Sequence, residues 1–273
     1  MGSFSVASYN ILADAYSRPA WFVHCRPEHL DPGWRRGALA AHVAALDADV
    51  VCLQEVEPAS FGALDLRLGR AGYAGHLALK GGGRPDGCAT FFRTDVFPAG
   101  EVRPLYYADG RGGAPDSGHV ALLAVLTHAS GQTLTVANTH LRWDEPGRAR
   151  EEHVGRRQAS LLLDALADAF AGEAAIVCGD LNVTPGDDLI AEMKRRGLSD
   201  AYAVRDGDVT CNANARCKRI DFILHGAAFT ATPVALPAID ARTPLPSAEQ
   251  PSDHLAIAAR LTWTGPGSPT PSR

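Results

Sequence analysis

A chain of 273 residues, 46% of them apolar, can bury a sizeable core as one large α/β domain or two small ones. A formal net charge of −5 argues against coating long nucleic acid, which calls for a basic face, and leaves open a short or single-stranded substrate held in a local cleft. No apolar run approaches the ~20 residues of a membrane span, and the opening MGSFSVASYN has neither the charged nor the apolar region of a signal peptide. Cys52 and Cys178 lie inside apolar runs and read as reduced core residues, so a cytoplasmic location is expected.

In chain order, Phe4–Tyr9 alternates and is β-prone, and it delivers Asn10. An irregular stretch, Ala13–Pro32, carries His24, Cys25, Pro27 and His29. Trp34–Leu46 is helical by its spacing, with Leu39, Val43 and Leu46 on one stripe. Asp49–Gln54 reads as a buried strand delivering Glu55, followed by a helix over Ala59–Arg70 that ends at Gly72. Tyr73–Leu79 is a strand, and the glycine-rich turn Gly81–Gly87 leads into another, Cys88–Arg93. After a Gly, Asp and Pro loop at Asp109–Gly118 come strands at His119–Thr127 and Leu134–Asn138, the second delivering Thr139 and His140.

A helix over Gln158–Phe170 turns Leu162 and Leu166 inward. Ala175–Asn182, AIVCGDLN, then reads as a fully buried strand ending in a carboxylate and a carboxamide. In extended chain, Asp180 and Asn182 would project together, and a charge beside a buried strand is expensive unless paired or holding a metal. Thr184-Pro185 reads as the N-cap and first residue of a short helix that Gly197 stops. Arg219–Leu224 is a strand with Asp221 in its body, and Asp253 and His254 precede the last strand, Leu255–Leu261. One domain over 1–263 is expected, with a disordered tail at 264–273, rich in Pro, Ser and Gly.

The pattern across these segments points to chemistry. Asn10, Glu55, His140 and the Asp180/Asn182 pair each follow an apolar strand, and Asp253/His254 precede one. Strand ends that share an edge converge in space, where such folds place ligands. These residue types suit hydrolysis of a phosphate ester. A hard cation such as Mg²⁺, or Mn²⁺ in its place, takes oxygen ligands and keeps waters, a role that fits Glu55 and Asn10 with Asp253 beside them. Asn182 and His140 would donate to the phosphate, and Asp221 would orient His254. Asp180 and His254 both stand as acceptors for the proton of the attacking water. Arg142 would meet a phosphate or lie on the solvated rim; Trp143 would carry a base or pack half-buried.

The motifs SYNIL (Ser8–Leu12), LQEVE (Leu53–Glu57), NTHLRWD (Asn138–Asp144), CGDLN (Cys178–Asn182), RIDFIL (Arg219–Leu224) and SDHLAI (Ser252–Ile257) occur in that order. Together they resemble the endonuclease/exonuclease/phosphatase superfamily, over nearly the whole chain to about Leu261. HCRP-HL-P-WRR (His24–Arg36) and GRPDGCATFFR (Gly83–Arg93) are similar to its nocturnin, Angel and deadenylase branch. The resemblance implies a four-layer α/β/β/α sandwich of two mixed sheets with outer helices. It implies Mg²⁺-dependent hydrolysis at RNA 3′ ends or on nucleotides, by exonuclease or 2′,3′-cyclic phosphatase action, on single-stranded RNA or a nucleotide; a monomer with no membrane and no obligate protein partner is expected besides. The poly(A) enzymes sandwich adenine between a proline directly after the HWD element and an aromatic before the strand aspartate. Here Glu145 follows Asp144, and CNANARCKRI before Asp221 has no aromatic. The alternatives are a phosphatase or phosphodiesterase on an inositol or lipid head group, an exonuclease-III-like DNA repair enzyme, and a catalytically dead scaffold.

Overall fold

A computed structural model describes residues 2–145, 147–170, 174–203, 205, 207–213 and 216–265. The expected disordered tail falls almost wholly at 266–273, outside the described residues. The strands are β1 (Ser3–Asn10), β2 (Val50–Val56), β3 (Tyr73–Leu79), β4 (Gly87–Arg93), β5 (Ala99–Tyr106), β6 (Val120–Thr127), β7 (Thr133–His140), β8 (Ala175–Asp180), β9 (Ser199–Asp200), β10 (Cys211–Ala213), β11 (Arg216–Lys218), β12 (Asp221–His225), β13 (Phe229–Pro233) and β14 (Ile257–Trp263). The α-helices are α1 (Pro32–Ala45), α2 (Pro58–Gly69), α3 (Val154–Phe170) and α4 (Asp188–Arg195).

One six-stranded sheet has the order β13-β14-β1-β2-β4-β3, the other β5-β6-β7-β8-β12-β9. Each is mixed: β1 and β2 run parallel, as do β7 and β8, while their other neighbours are antiparallel. The sheets pack face to face through Phe4, Val6, Val50 and Cys52 from one and Leu134, Val136, Ile176, Cys178 and Ile223 from the other. Leu39, Val43, Leu64 and Leu68 of α1 and α2 cover the outer face of the first sheet. Leu162 and Leu166 of α3, with Leu189, Ile190 and Met193 of α4, cover the second. This is the expected four-layer sandwich.

The two-residue period of the strands explains where the site lies. In β1, Phe4 and Val6 face the other sheet while Ala7 and Tyr9 face the helices, so Asn10 falls on the inter-sheet side. The same count places His140 beyond Val136, Asp180 beyond Cys178 and Asp221 beside Ile223 on that side. At one end of the sandwich the apolar core thus gives way to polar residues from both sheets. Beneath them, Gln54 Nε2 donates to Asn138 Oδ1 at 2.8 Å, and Asn138 Nδ2 returns bonds to the Leu53 and Ala89 carbonyls.

Besides the short strands β9, β10, β11 and β13, which were not foreseen, four elements differ from expectation. Strand β5 went unread because it is an edge strand, largely exposed and carrying Gly100 and Pro104, with no apolar alternation. Helix α3 starts at Val154 rather than Gln158, because the Asp144 carboxylate accepts from Val154 and Gly155 N–H, both at 2.9 Å. Such a cap from ten residues upstream has no local signature. Helix α4 is capped by Asp187, whose side chain accepts from Leu189 N–H at 2.8 Å, and Thr184–Asp187 is a turn. Asp221 opens its strand instead of lying in its body.

Candidate active site

Register brings the polar strand ends together. Parallel pairing of β7 with β8 sets His140 beside Asp180, and antiparallel pairing of β8 with β12 sets Asp221 beside Asp180. From the first sheet, Asn10 Nδ2 reaches across to Asp180 Oδ2 at 3.1 Å and also donates to Glu55 Oε1 at 3.1 Å. Its Oδ1 accepts from Leu12 N–H at 3.0 Å, so the amide presents nitrogen to the carboxylates. Acting as an oxygen ligand would require turning the amide over and giving up the Leu12 bond.

Glu55 is brought in by a backbone irregularity. Val51, Leu53 and Val56 all face the helix layer, so Glu55 is the extra residue of a bulge between Gln54 and Val56. Its φ of 58° is a left-handed conformation that a non-glycine residue adopts at a strain of about 1–3 kcal/mol. The carboxylate thereby swings to Asn10 and accepts from Ala13 N–H at 2.9 Å. Asn182 is also left-handed, φ 55°, because β8 stops at Asp180. The pair meets through Asn182 N–H to Asp180 Oδ1 at 2.9 Å, not through a continuing pleat. Asn182 Nδ2 then lies 3.1 Å from His140 Nε2 and 2.9 Å from the Leu141 carbonyl. Between Asp180 and Thr139, Gly179 lets the backbones approach: a Cβ there would sit 1.8 Å from the Thr139 carbonyl oxygen.

His254 stands on the far side of Asp180. Its Nδ1 is 2.9 and 3.2 Å from the two oxygens of the fully buried Asp221, and its Nε2 is 3.8 Å from Asp180 Oδ2. Asp221 therefore serves His254, and Arg219 pairs instead with Asp200 at 2.7 and 2.8 Å. Ser252 Oγ ties this loop to β1 by donating to the Asn10 carbonyl at 2.7 Å. Buried Arg35 of α1 clamps the same two loops, donating to the carbonyls of Pro251, Ile11 and Leu12.

The electrostatics are those of a largely buried acidic cluster. Burial raises Asp180 to about 7, opposed by His254 and reinforced by Asp221. Burial also raises Glu55, against the nearby Lys80 ammonium and with the help of Asp253. On His254 burial opposes charge, yet the Asp221 carboxylate holds its pKa well above the usual imidazole value. His140 is pushed the other way, chiefly by burial and then by Lys80, and its Nδ1 is buried without a hydrogen-bond partner among the described residues. The donor chemistry fits a hard divalent cation: the half-buried Glu55 and buried Asp180 carboxylates share one amide nitrogen, and burial raises the proton affinity of both, a cost that a bound cation would offset. Single oxygens of Asp180 and Asp221 and a nitrogen of His254 also lie within 4.8 Å of one another.

A profile of the Endonuclease/Exonuclease/phosphatase family matches residues 7–254. The chain belongs to that family. Within it, the protein is similar to members of the nocturnin, Angel and deadenylase branch. Protein angel homolog 2 of Homo sapiens is 30% identical over 209 residues, 72% of this chain and 38% of that protein. The 3′-5′-exoribonuclease subunit Ccr4 of the CCR4-Not complex of Candida albicans is 27% identical over 241 residues, 75% of this chain and 30% of that one. The family member described here thus spans well under half the length of these curated relatives. Among solved structures, ANGEL2, a 2′,3′-cyclic phosphatase in complex with adenosine-2′,3′-vanadate, superposes with a TM-score of 0.81 at 24% identity, covering 95% of each chain, which establishes the common fold.

The expected residues fall in two groups. Asn10, Glu55, His140, Asp180, Asn182, Asp221 and His254 join through the contacts above, and Asp253, 6% exposed, adds its charge near Glu55. Arg142 and Trp143 are exposed; they line a neighbouring pocket of ≈ 250 Å³ with Asn182, Arg156 and Lys218. Sequence reasoning missed the buried Lys80, which bonds Asp86 at 2.6 Å while its charge acts on Glu55 and His140. Its signal was available: a lysine directly after a strand, before an acid-bearing glycine turn. It also missed Arg35, although its place four residues before Leu39 puts it on the buried stripe of α1.

Proposed function

We propose that this protein is a divalent-metal-dependent phosphoesterase acting on RNA 3′ ends or nucleotides, by 3′-5′ exonuclease or 2′,3′-cyclic phosphatase chemistry. The observation that carries this is the cluster in which Asp180 contacts Asn10 and Asn182 and faces both His140 and the His254–Asp221 pair. Its similarity to proteins described as a 2′,3′-cyclic phosphatase and a 3′-5′-exoribonuclease supports the substrate class.

Glu55, with Asn10 and Asp253 around it, would hold the cation, Mg²⁺ or Mn²⁺. Bound there, the cation supplies Lewis-acid stabilisation of phosphoryl and leaving-group oxygens. Asp180 takes the proton of the attacking water, its carboxylate fixed by two donors so that one lobe stays aimed at the pocket. His254, kept charged and oriented by Asp221, donates through Nε2 to a phosphoryl oxygen. On the opposite side Asn182 and His140 would exchange their mutual contact for a phosphoryl oxygen, and Arg142 and Trp143 extend the substrate surface.

No side chain from a second copy is needed to complete this set, and action as a monomer is part of the proposal. The six free cysteines support a reducing, cytoplasmic setting, and among the described residues no helix is long and apolar enough to cross a membrane. The deciding experiment incubates purified protein and Mg²⁺ with single-stranded RNA, 2′,3′-cyclic-phosphate RNA, abasic duplex DNA and inositol phosphates. Consumption of either RNA supports the reading; exclusive consumption of duplex DNA or inositol phosphates overturns it.

A further inference from the structure

We infer that His119 is a positioning residue that holds the His140 imidazole at the angle its phosphate contact needs, an inference resting on the role given to His140 above. His140 has little else to fix it. Its Nε2 lies 3.1 Å from Asn182 Nδ2, and its Nδ1 has no hydrogen-bond partner among the described residues. The nearest carboxylate oxygens, on Asp180 and Glu55, stand at 3.7 and 3.9 Å, beyond hydrogen-bond reach. A ring held by one side-chain bond can tilt about it.

The missing restraint is an aromatic neighbour. Strand β6 runs antiparallel to β7 with Ala121 opposite Thr139, so His119 arrives at the end of the sheet where His140 leaves it. The two rings meet with centroids 6.3 Å apart and planes at 88°, the edge-to-face arrangement that aromatic pairs favour. His119 is 4% exposed, and burial, followed by Lys80 and Arg84, lowers its pKa to about 3. It therefore stands neutral beside His140 and acts on it by packing.

His119 is itself fixed, and its tautomer can be read from its partners. The Asp109 carboxylate accepts from Ser117 Oγ at 2.5 Å, from Ser117 N–H at 2.6 Å and from Gln158 Nε2 at 2.6 Å. Burial opposes the Asp109 charge, yet the Ser117 and Gln158 bonds hold its pKa below the usual value. A hydroxyl has one proton, and Ser117 gives it to this carboxylate. Ser117 Oγ can then only accept from His119 Nδ1, 3.1 Å away, so Nδ1 carries the ring proton. The His119 N–H adds a bond to the same oxygen at 3.2 Å. Gln158 completes the support, its Oε1 accepting from Arg142 N–H at 2.8 Å, two residues past His140. The segment from His140 to Arg142 is thus gripped by a ring at one end and a backbone bond at the other, both leading back to Asp109.

The test is a double-mutant cycle on steady-state hydrolysis of whichever phosphate ester the wild type consumes. His119→Asn keeps an N–H for Ser117 and removes the ring. Its kcat should fall about 10- to 100-fold, the loss typical when a partner orienting a ligating imidazole is removed, while KM stays within about 3-fold. His119→Phe restores an aromatic ring and should recover most of that kcat. In a His140→Ala background, adding His119→Asn should cost less than about 2-fold more, because the group it positions is gone. A further loss there as large as in the wild-type background, or a His119→Asn kcat equal to the wild type's, overturns the inference. Should His119→Asn not fold, His119→Gln takes its place in the cycle with the same expected result. If the wild type consumes only esters other than RNA ends and nucleotides, the substrate reading falls and the cycle still decides His119. An additive cycle in a wild type that hydrolyses RNA ends removes His119 alone, and a wild type that hydrolyses no phosphate ester removes both.

Discussion

Replacing Asp221 by Asn isolates the step on which the proposed chemistry turns. The two side chains have the same shape, and position 221 is fully buried, so the change removes charge without opening a cavity. Both Asp221 oxygens face His254 Nδ1, at 2.9 and 3.2 Å, and fix it as the protonated nitrogen. A carboxamide can turn its NH₂ to Nδ1 instead, which reverses the tautomer, and it no longer holds the imidazole charged. In the Ser-His-Asp arrangement the same exchange costs about 10⁴ in turnover. We expect kcat to fall about 10³- to 10⁴-fold, equivalent to roughly 4–5.5 kcal/mol at 1.36 kcal/mol per decade. KM should change little, because Asp221 is sealed from substrate behind His254. The assay is steady-state hydrolysis of 2′,3′-cyclic-phosphate RNA at saturating Mg²⁺, with thermal unfolding of the same samples. A loss below tenfold in a variant that melts like the wild type would refute the role given to the His254–Asp221 pair.

Glu55→Gln should raise the Mg²⁺ concentration for half-maximal rate at least about tenfold, read by titrating Mg²⁺ into the chelated protein; an unchanged requirement would remove Glu55 from the cation site. Gly179→Ala should destabilise the fold by about 3 kcal/mol or more in urea unfolding, since its Cβ would press into the Thr139 carbonyl at 1.8 Å from a φ of +146°. Acid should destabilise the fold through His119, whose pKa burial lowers to about 3, with Lys80 adding to the effect. The unfolded imidazole takes up its proton near 6.5 and the folded one does not, so this stability is present above that value and drains as pH falls toward 3. The loss between pH 7 and 4.5 should be about 2–3 kcal/mol, and His119→Gln should reduce it; identical pH slopes in the two proteins would contradict this.

Much of the site was legible in the chain because its chemistry is expensive to bury. A carboxylate, amide or imidazole directly after an apolar strand cannot be casual, and Asn10, Glu55, His140, Asp180 and Asn182 stand out on that ground alone. Strand period relates Asn10 to Val6, His140 to Val136 and Asp180 to Cys178, but only the packing of those apolar residues shows that their shared face meets the other sheet. Glu55 breaks that rule: alternation sends it toward the helices, and only the bulge brings it back. The start of α3 was hidden for a similar reason, its cap being Asp144 across a loop.

Sequence by itself determined the core strands and the four helices to within a few residues, the layer order implied by the family motifs and the residue types the chemistry needs, because these follow from local spacing and from the cost of burying charge. Tertiary structure alone decided which groups pair. Asp221 holds His254 rather than Arg219, Asn10 turns its nitrogen to two carboxylates, and Arg35 and Lys80 lie buried at the pocket. The physical reason is distance along the chain: partners separated by tens to hundreds of residues meet through sheet register and loop closure, which no local pattern encodes.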